Sequence, residues 1–207
     1  MAKLVHGRRG GYCQEHNALF HDMLAELGFT VDALGGRVIR MAPGRPAAMT
    51  HRLTLVHLPE GVFIADVGFG GQSPTAPLRL APGLEQVTSH GTYRVIREGG
   101  LFEFQMQSGH AWSPMYRFNL ERQARVDFEV ANWFTSTHPD ALFTRNLVAS
   151  RVVGQTRTSV LNASVTTRSA QGTLQQRTLA DAQDLRVRFE SVGQRASLRS
   201  RSIAEAA

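Results

Sequence analysis

Arg9-Gly10-Gly11-Tyr12-Cys13-Gln14-Glu15-His16-Asn17 leads from a glycine pair into the only cysteine of the chain and on into a helical pattern. Leu19, Phe20, Met23, Leu24 and Leu27 recur at helical spacing, and Gly28 is a natural stop. The spacing predicts Cys13 near the start of a helix, where free N–H groups and the positive end of the helix dipole favour a thiolate over a thiol. The glycines would let a substrate approach the backbone closely. A single cysteine makes no internal disulfide, which leaves two readings, a nucleophile or a small buried hydrophobe. A nucleophile needs a base, and the base needs a group to orient it.

Among eight histidines, His51 stands apart. His16 and His21 fall on the predicted Cys13 helix, and His6 precedes the glycines. His90 and His110 adjoin Gly91 and Gly109 as turn residues, and His138 stands beside Pro139. His51 instead opens a run rich in strand formers that ends at Leu58. Pro59-Glu60-Gly61 follows as a turn, and Val62-Phe-Ile-Ala-Asp66-Val67 reads as a second strand ending in Gly68-Phe69-Gly70-Gly71. The pattern is a β-hairpin with His51 and Asp66 near its open ends. If Pro59-Glu60 is a two-residue loop, His51 lies opposite Gly68, and Asp66 is its diagonal neighbour on the same face. If Gly61 forms a bulge, the two side chains point to opposite faces. Pro59 and Gly61 suit a turn that often carries such a bulge, so pattern alone leaves both registers open. An aspartate in an apolar run needs a partner or a turn to cap, and either reading of Asp66 meets that need.

The 207 residues suffice for a core in one or two domains. Mean hydropathy is −0.21. No apolar run is long enough to span a bilayer, and no signal peptide is visible, so the expected location is cytoplasmic and no membrane partner is expected. The net charge of +6 comes from 23 basic residues, all but one arginine, against 17 acidic ones. These arginines are scattered, without a basic helix or an aromatic platform, which argues against nucleic acid as a partner. No metal spacing is present: there is no second cysteine and no helical histidine pair around a glutamate.

Strand patterns run over Val31–Met41, Leu53–Leu58, Val62–Val67, Thr92–Glu98, Leu101–Gln107 and Trp112–Phe118. Helices are expected over Phe128–Phe134 and Pro139–Leu147. Two or three strands follow residue 151, with a further helix over Leu179–Phe189. The segment from Gly70 to Gly100 holds most of the loop signals. Regular short strands read as an antiparallel sheet or barrel, within an α+β class.

The run from Arg9 to Asn17 resembles the active-site motif of the arylamine N-acetyltransferases. So do His51-Arg-Leu-Thr-Leu-Val and Asp66-Val-Gly-Phe-Gly70, at spacings of 38 and 15 residues that are also similar to that family's. A fourth block, Asn132-Trp-Phe-Thr-Ser-Thr-His-Pro139 with Phe143 and Leu147, resembles the family's entry into its C-terminal domain. The resemblance implies a papain-like cysteine-enzyme core: a helical N-terminal remnant over 1–29 carrying Cys13, an antiparallel β-barrel over 30–130 carrying His51 and Asp66, and a helix with a C-terminal α/β lid over 131–207. It implies a Cys13–His51–Asp66 triad that takes acetyl from acetyl-CoA onto the cysteine and passes it to an arylamine or arylhydrazine, without a metal. Phe69 would line the aryl acceptor pocket. Gly68, Gly70 and Gly71 would let pantetheine and pyrophosphate approach the backbone. Few residues precede the motif, so the resemblance also implies a shortened start, an Arg9 without its glutamate, an uncovered helix face and a tendency to self-associate. A papain- or transglutaminase-type hydrolase shares the order of the triad. An amide synthase of the same family and an inactive fragment are the other readings.

Overall fold

The structure, a computed structural model, describes residues 2–40, 46–169, 174–181, 183 and 184. After a short π-helical turn at Ala2–His6, helix α1 spans Cys13–Glu26. The strands of the first sheet are β1 (Thr30–Val38), β2 (Met49–Leu58), β3 (Gly61–Ala65), β4 (Leu78–Arg79), β5 (Gln86–Thr88), β6 (Gly91–Glu98), β7 (Leu101–Ser108) and β8 (Ala111–Arg122). Helices α2 (Arg125–Thr137) and α3 (Leu142–Arg145) follow. Strands β9 (Val148–Val153), β10 (Thr156–Leu161), β11 (Ser164–Ser169) and β12 (Leu174–Thr178) make a second sheet. This is the expected α+β class. Among the described residues no helix is long and apolar enough to cross a membrane.

The first sheet is antiparallel in the order β4-β3-β2-β1-β8-β7-β6-β5. Its edges come close to closing. The Gln86 side chain on β5 accepts the N–H of Arg79 on β4 at 2.7 Å and donates to its carbonyl at 3.0 Å. One amide side chain thus imitates a ladder step and satisfies an edge that would otherwise be bare. The segment read as mostly loop therefore contributes two edge strands, β4 and β5, too short for an alternating pattern to be visible. The interior is filled by Leu34, Leu53, Leu55, Ile64, Leu78, Tyr93, Val95, Phe104 and Tyr116, among others. Each large side chain fully buried there contributes about 1.5–3 kcal/mol.

Helices α1 and α2 pack on β2, and α1 also on β1. The helical period predicted for α1 is present, but its buried residues are Cys13, Gln14 and Asn17, while Met23 and Leu27 are exposed. The helix expected over Pro139–Leu147 shrinks to α3, because Pro139 and Asp140 form a turn and the Leu147 backbone bonds to Asn162 instead. That expected over Leu179–Phe189 runs beyond the described residues. In the second sheet, β9 to β12 are in sequential antiparallel order over a small core of Val160, Val165 and Leu179.

Candidate active site

Cys13 is the first residue of α1, as its position after the glycine pair predicts. The Glu15 side chain reaches back to accept the Tyr12 N–H at 3.3 Å, closing one side of a capping box and fixing where the helix starts. Cys13 is 8% exposed, and its Sγ lies 3.6 Å from the Thr50 carbonyl, one residue before His51. The same carbonyl accepts the Gln14 side chain at 2.7 Å, tying the start of α1 to β2.

The hairpin settles in the register of the two-residue loop: Leu58 pairs with Gly61 and Thr54 with Ala65. No bulge intervenes, so His51 and Asp66 share the inward face with Leu53, Leu55 and Ile64. His51 Nε2 lies 2.7 Å from Asp66 Oδ2, and both residues are 2% exposed. Asp66 sits just past the end of β3, where its other oxygen accepts the Asn17 side chain at 2.8 Å and the Gly68 N–H at 3.0 Å. The Nε2 bond leaves Nδ1 of His51 as the nitrogen available to the thiol.

Burial by itself would lower the His51 pKa. The Asp66 charge and hydrogen bond, with Cys13 beside the ring, outweigh it and raise the value to about 10. Burial would likewise raise the Asp66 carboxyl, but the imidazolium and the bonds from His51, Asn17 and Gly68 hold it below its ordinary value. The pair is therefore ionised at neutral pH.

This sets a pH dependence of stability. A raised histidine pKa stabilises fully below the unfolded value of 6.5, and the contribution is lost as pH rises towards about 10. The lowered Asp66 stabilises above its unfolded value of 3.8, and that contribution is lost as pH falls below it. Denaturant melts should show stability from the pair greatest between these two unfolded values. Relative to Asp66→Asn, the wild type should lose its advantage steadily from pH 6.5 to 10. Parallel pH profiles for the two proteins would contradict the ionised pair.

Phe69 is half-buried, edge-on to the His51 ring at 5.1 Å, and Tyr116 packs against both rings at 4.7 and 5.0 Å. The Tyr116 hydroxyl is pushed well above its usual pKa, first by burial and then by the Asp66 charge, and among the described residues it makes no well-formed hydrogen bond. At Gly68 a Cβ would lie 2.7 Å from both the Cys13 Cα and the Asn17 amide, so only glycine lets the turn approach the nucleophile's helix. Gly71 presses on Ser159 of β10, whereas Gly70 is exposed and has φ +67°.

Two site residues escaped the sequence reading. Asn17 is fully buried and joins α1 to both strands of the hairpin, donating to Asp66 and to the Arg52 carbonyl and accepting the Val67 N–H at 2.9 Å. Its position four residues after Cys13, on the same helix face, was the available signal. Tyr116 carried none, being one aromatic among several on β8. A second histidine–aspartate pair occupies the same face at the other end of the hairpin, with His57 Nε2 2.7 Å from Asp32. There the His57 side chain is 36% exposed, against 1% for His51, and Asp32 is shared with Arg122 at 2.6 Å. That arrangement is a surface ion-pair cluster, which leaves the thiol with one buried partner pair.

A family model described as N-acetyltransferase matches residues 1–192. The arylamine N-acetyltransferase of Escherichia coli K12 is 46% identical over 149 residues, 72% of this chain and 53% of that protein. The Mycolicibacterium smegmatis arylamine N-acetyltransferase is 44% identical over 160 residues, 75% of this chain and 58% of that protein. The chain thus spans a little over half the length of these curated relatives. Among solved structures, the Mycobacterium marinum arylamine N-acetyltransferase in complex with CoA superposes with a TM-score of 0.88 at 37% identity, over 92% of this chain and 72% of that one. The family-model match over residues 1–192 takes in Cys13, His51, Asp66 and both sheets. The chain belongs to the arylamine N-acetyltransferase family.

Proposed function

We propose that the site carries an acetyl group from acetyl-CoA to the nitrogen of an arylamine or arylhydrazine through an acetyl-cysteine. The supporting observation is the lone thiol at the first residue of α1, beside a buried ionised His51–Asp66 pair, in a chain of this family. CoA in the related M. marinum structure supports the choice of donor.

In this reading the Cys13 sulfur, as thiolate, attacks the thioester carbonyl of acetyl-CoA. The new bond is Sγ–C, and the bond from carbon to the CoA sulfur breaks. The CoA thiolate leaves with the proton from His51 Nδ1. Of the first-turn N–H groups, those of Glu15 and His16 already bond the Tyr12 carbonyl, so the Cys13 and Gln14 N–H groups are the ones to meet the oxyanion that develops. The amine nitrogen then attacks the acetyl carbon, neutral His51 takes its proton, and the N-acetyl product departs as the sulfur is released. Asp66 holds the ring in the tautomer that exposes Nδ1, and Asn17 with the Gly68 N–H holds Asp66. Phe69 forms an aryl wall beside the ring. Gly68 and Gly71 are pressed against the protein's own atoms, so of the three glycines the exposed Gly70 is best placed for pantetheine to approach the backbone. We assign the nucleophile to residues 1–29, its base and orienting group to 30–130, and the cover of the site to 131–207.

Initial rates with acetyl-CoA at several fixed arylamine concentrations test the mechanism. Two half-reactions give parallel double-reciprocal lines. Intersecting lines would favour direct transfer in a ternary complex. Acetyl-CoA left unconsumed, with turnover of a peptide or glutamine substrate, would favour the hydrolase.

A further inference from the structure

Arg157 is the second residue of β10, and although it is an arginine it is only 3% exposed. Its guanidinium points out of the second sheet to the glycine-rich turn that follows Asp66. Nη1 donates to the Gly71 carbonyl at 2.7 Å and to the Tyr93 hydroxyl at 3.2 Å, and Nη2 donates to the Ser73 carbonyl at 2.7 Å. The Tyr93 hydroxyl in turn donates to the Ser73 carbonyl at 3.1 Å. The hydrogen-bond partners of this buried cation among the described residues are thus neutral oxygens. A buried charge held without a carboxylate needs a reason, because removing it from water costs several kcal/mol.

The surroundings supply one. Ser159, two residues along β10 on the same face, occupies the space where Gly71 would carry a Cβ, at 2.2 Å from that point. Ser150 of β9 makes only ordinary contact at Gly70, its Oγ 3.4 Å from the corresponding point. The second sheet therefore closes on the 70–73 turn, and Arg157 fastens it. Phe69 is the residue immediately before the turn, and its ring is the one set against His51. On the barrel side, Tyr93 stacks on Phe104, Phe104 on Tyr116, and Tyr116 meets His51 and Phe69. The guanidinium thus joins the second sheet to both supports of the Phe69 ring. It does not touch the atoms that hold Asp66, which are the Asn17 amide and the Gly68 N–H.

We propose that Arg157 is a positioning residue that fixes the 70–73 turn, so that the second sheet sets the place of Phe69 and with it the acceptor side of the site. The second half of this statement rests on the acetyl-transfer reading above; the first does not.

Two variants test it. Arg157→Met removes the guanidinium, and Tyr93→Phe removes only the hydroxyl that the guanidinium and Ser73 share, so it keeps the shape of the core. Hydrogen exchange followed on peptides covering residues 67–74 and on peptides of α1 reads the turn without reference to activity. Exchange in 67–74 should rise roughly tenfold in Arg157→Met and less in Tyr93→Phe, with α1 unchanged. The two half-reactions, followed separately, should split: transfer from acetyl-Cys13 to the arylamine falls roughly tenfold or more with a raised KM for the amine, while acetylation by acetyl-CoA falls less. Arg157→Lys should restore part of both. Unchanged exchange in 67–74, an equal rise in 67–74 and α1, or equal losses in both half-reactions would overturn the proposal. A wild-type protein that transfers no acetyl group would instead remove the functional reading, while the exchange experiment would still decide what Arg157 holds.

Discussion

Asp66→Asn is expected to leave the fold intact and to lower acetyl transfer by about four orders of magnitude, as loss of tautomer control does in serine triads. The site is built so that the amide fits: its oxygen can still accept from Asn17 and from the Gly68 N–H. Its NH2 group then faces His51 Nε2, which must become the acceptor. The imidazole proton moves to Nδ1, the atom that should take a proton from the amine. Without the carboxylate, burial lowers the His51 pKa against the neighbouring Cys13 only, so the imidazolium loses its main support as well. The check is kcat/KM for the arylamine, with a melt to confirm folding. A loss below tenfold would reduce Asp66 to a turn residue.

Cys13→Ala should abolish transfer, leaving no rate above that of the uncatalysed reaction. Cys13→Ser should come close to the same result, because a hydroxyl beside this histidine is a much poorer nucleophile than a thiol. Serine exchanges the sulfur for an oxygen and alanine removes that one heavy atom, so melting midpoints should move little. Measurable turnover by the alanine variant would end the assignment of Cys13 as nucleophile.

The parts of the molecule that were legible in the sequence are those where local chemistry and tertiary structure agree. The start of α1 follows from the glycines before Cys13 and from the helical spacing after it. The hairpin follows from alternating strand formers on either side of Pro59-Glu60. Its register was ambiguous because Gly61 fits either turn. The buried bond between His51 and Asp66, together with a core face of Leu53, Leu55 and Ile64, is satisfied only without the bulge, so side-chain burial decides what turn chemistry leaves open. The apolar spacing of α1 gave the helix but not its inward face. That face is claimed by Cys13, Gln14 and Asn17, whose hydrogen bonds to β2 and Asp66 exist only once the hairpin is in place. Edge strands of two and three residues, such as β4 and β5, carry too little pattern to be read. Their pairing depends on Gln86, a contact across the barrel. The role of Arg157 depends on a contact between the two sheets, and nothing in its neighbours in the chain announces it.

In the proposed reaction Cys13 carries the acetyl group between donor and acceptor. The most direct test is the intact mass of the protein after incubation with acetyl-CoA in the absence of amine, with the modified residue located by peptide mapping. The protein should gain one acetyl group, confined to the Cys13 peptide, that disappears on adding an arylamine as the N-acetylated amine forms. An unmodified Cys13 in a protein that still acetylates the amine, or an acetyl group on another residue that turns over, would contradict it.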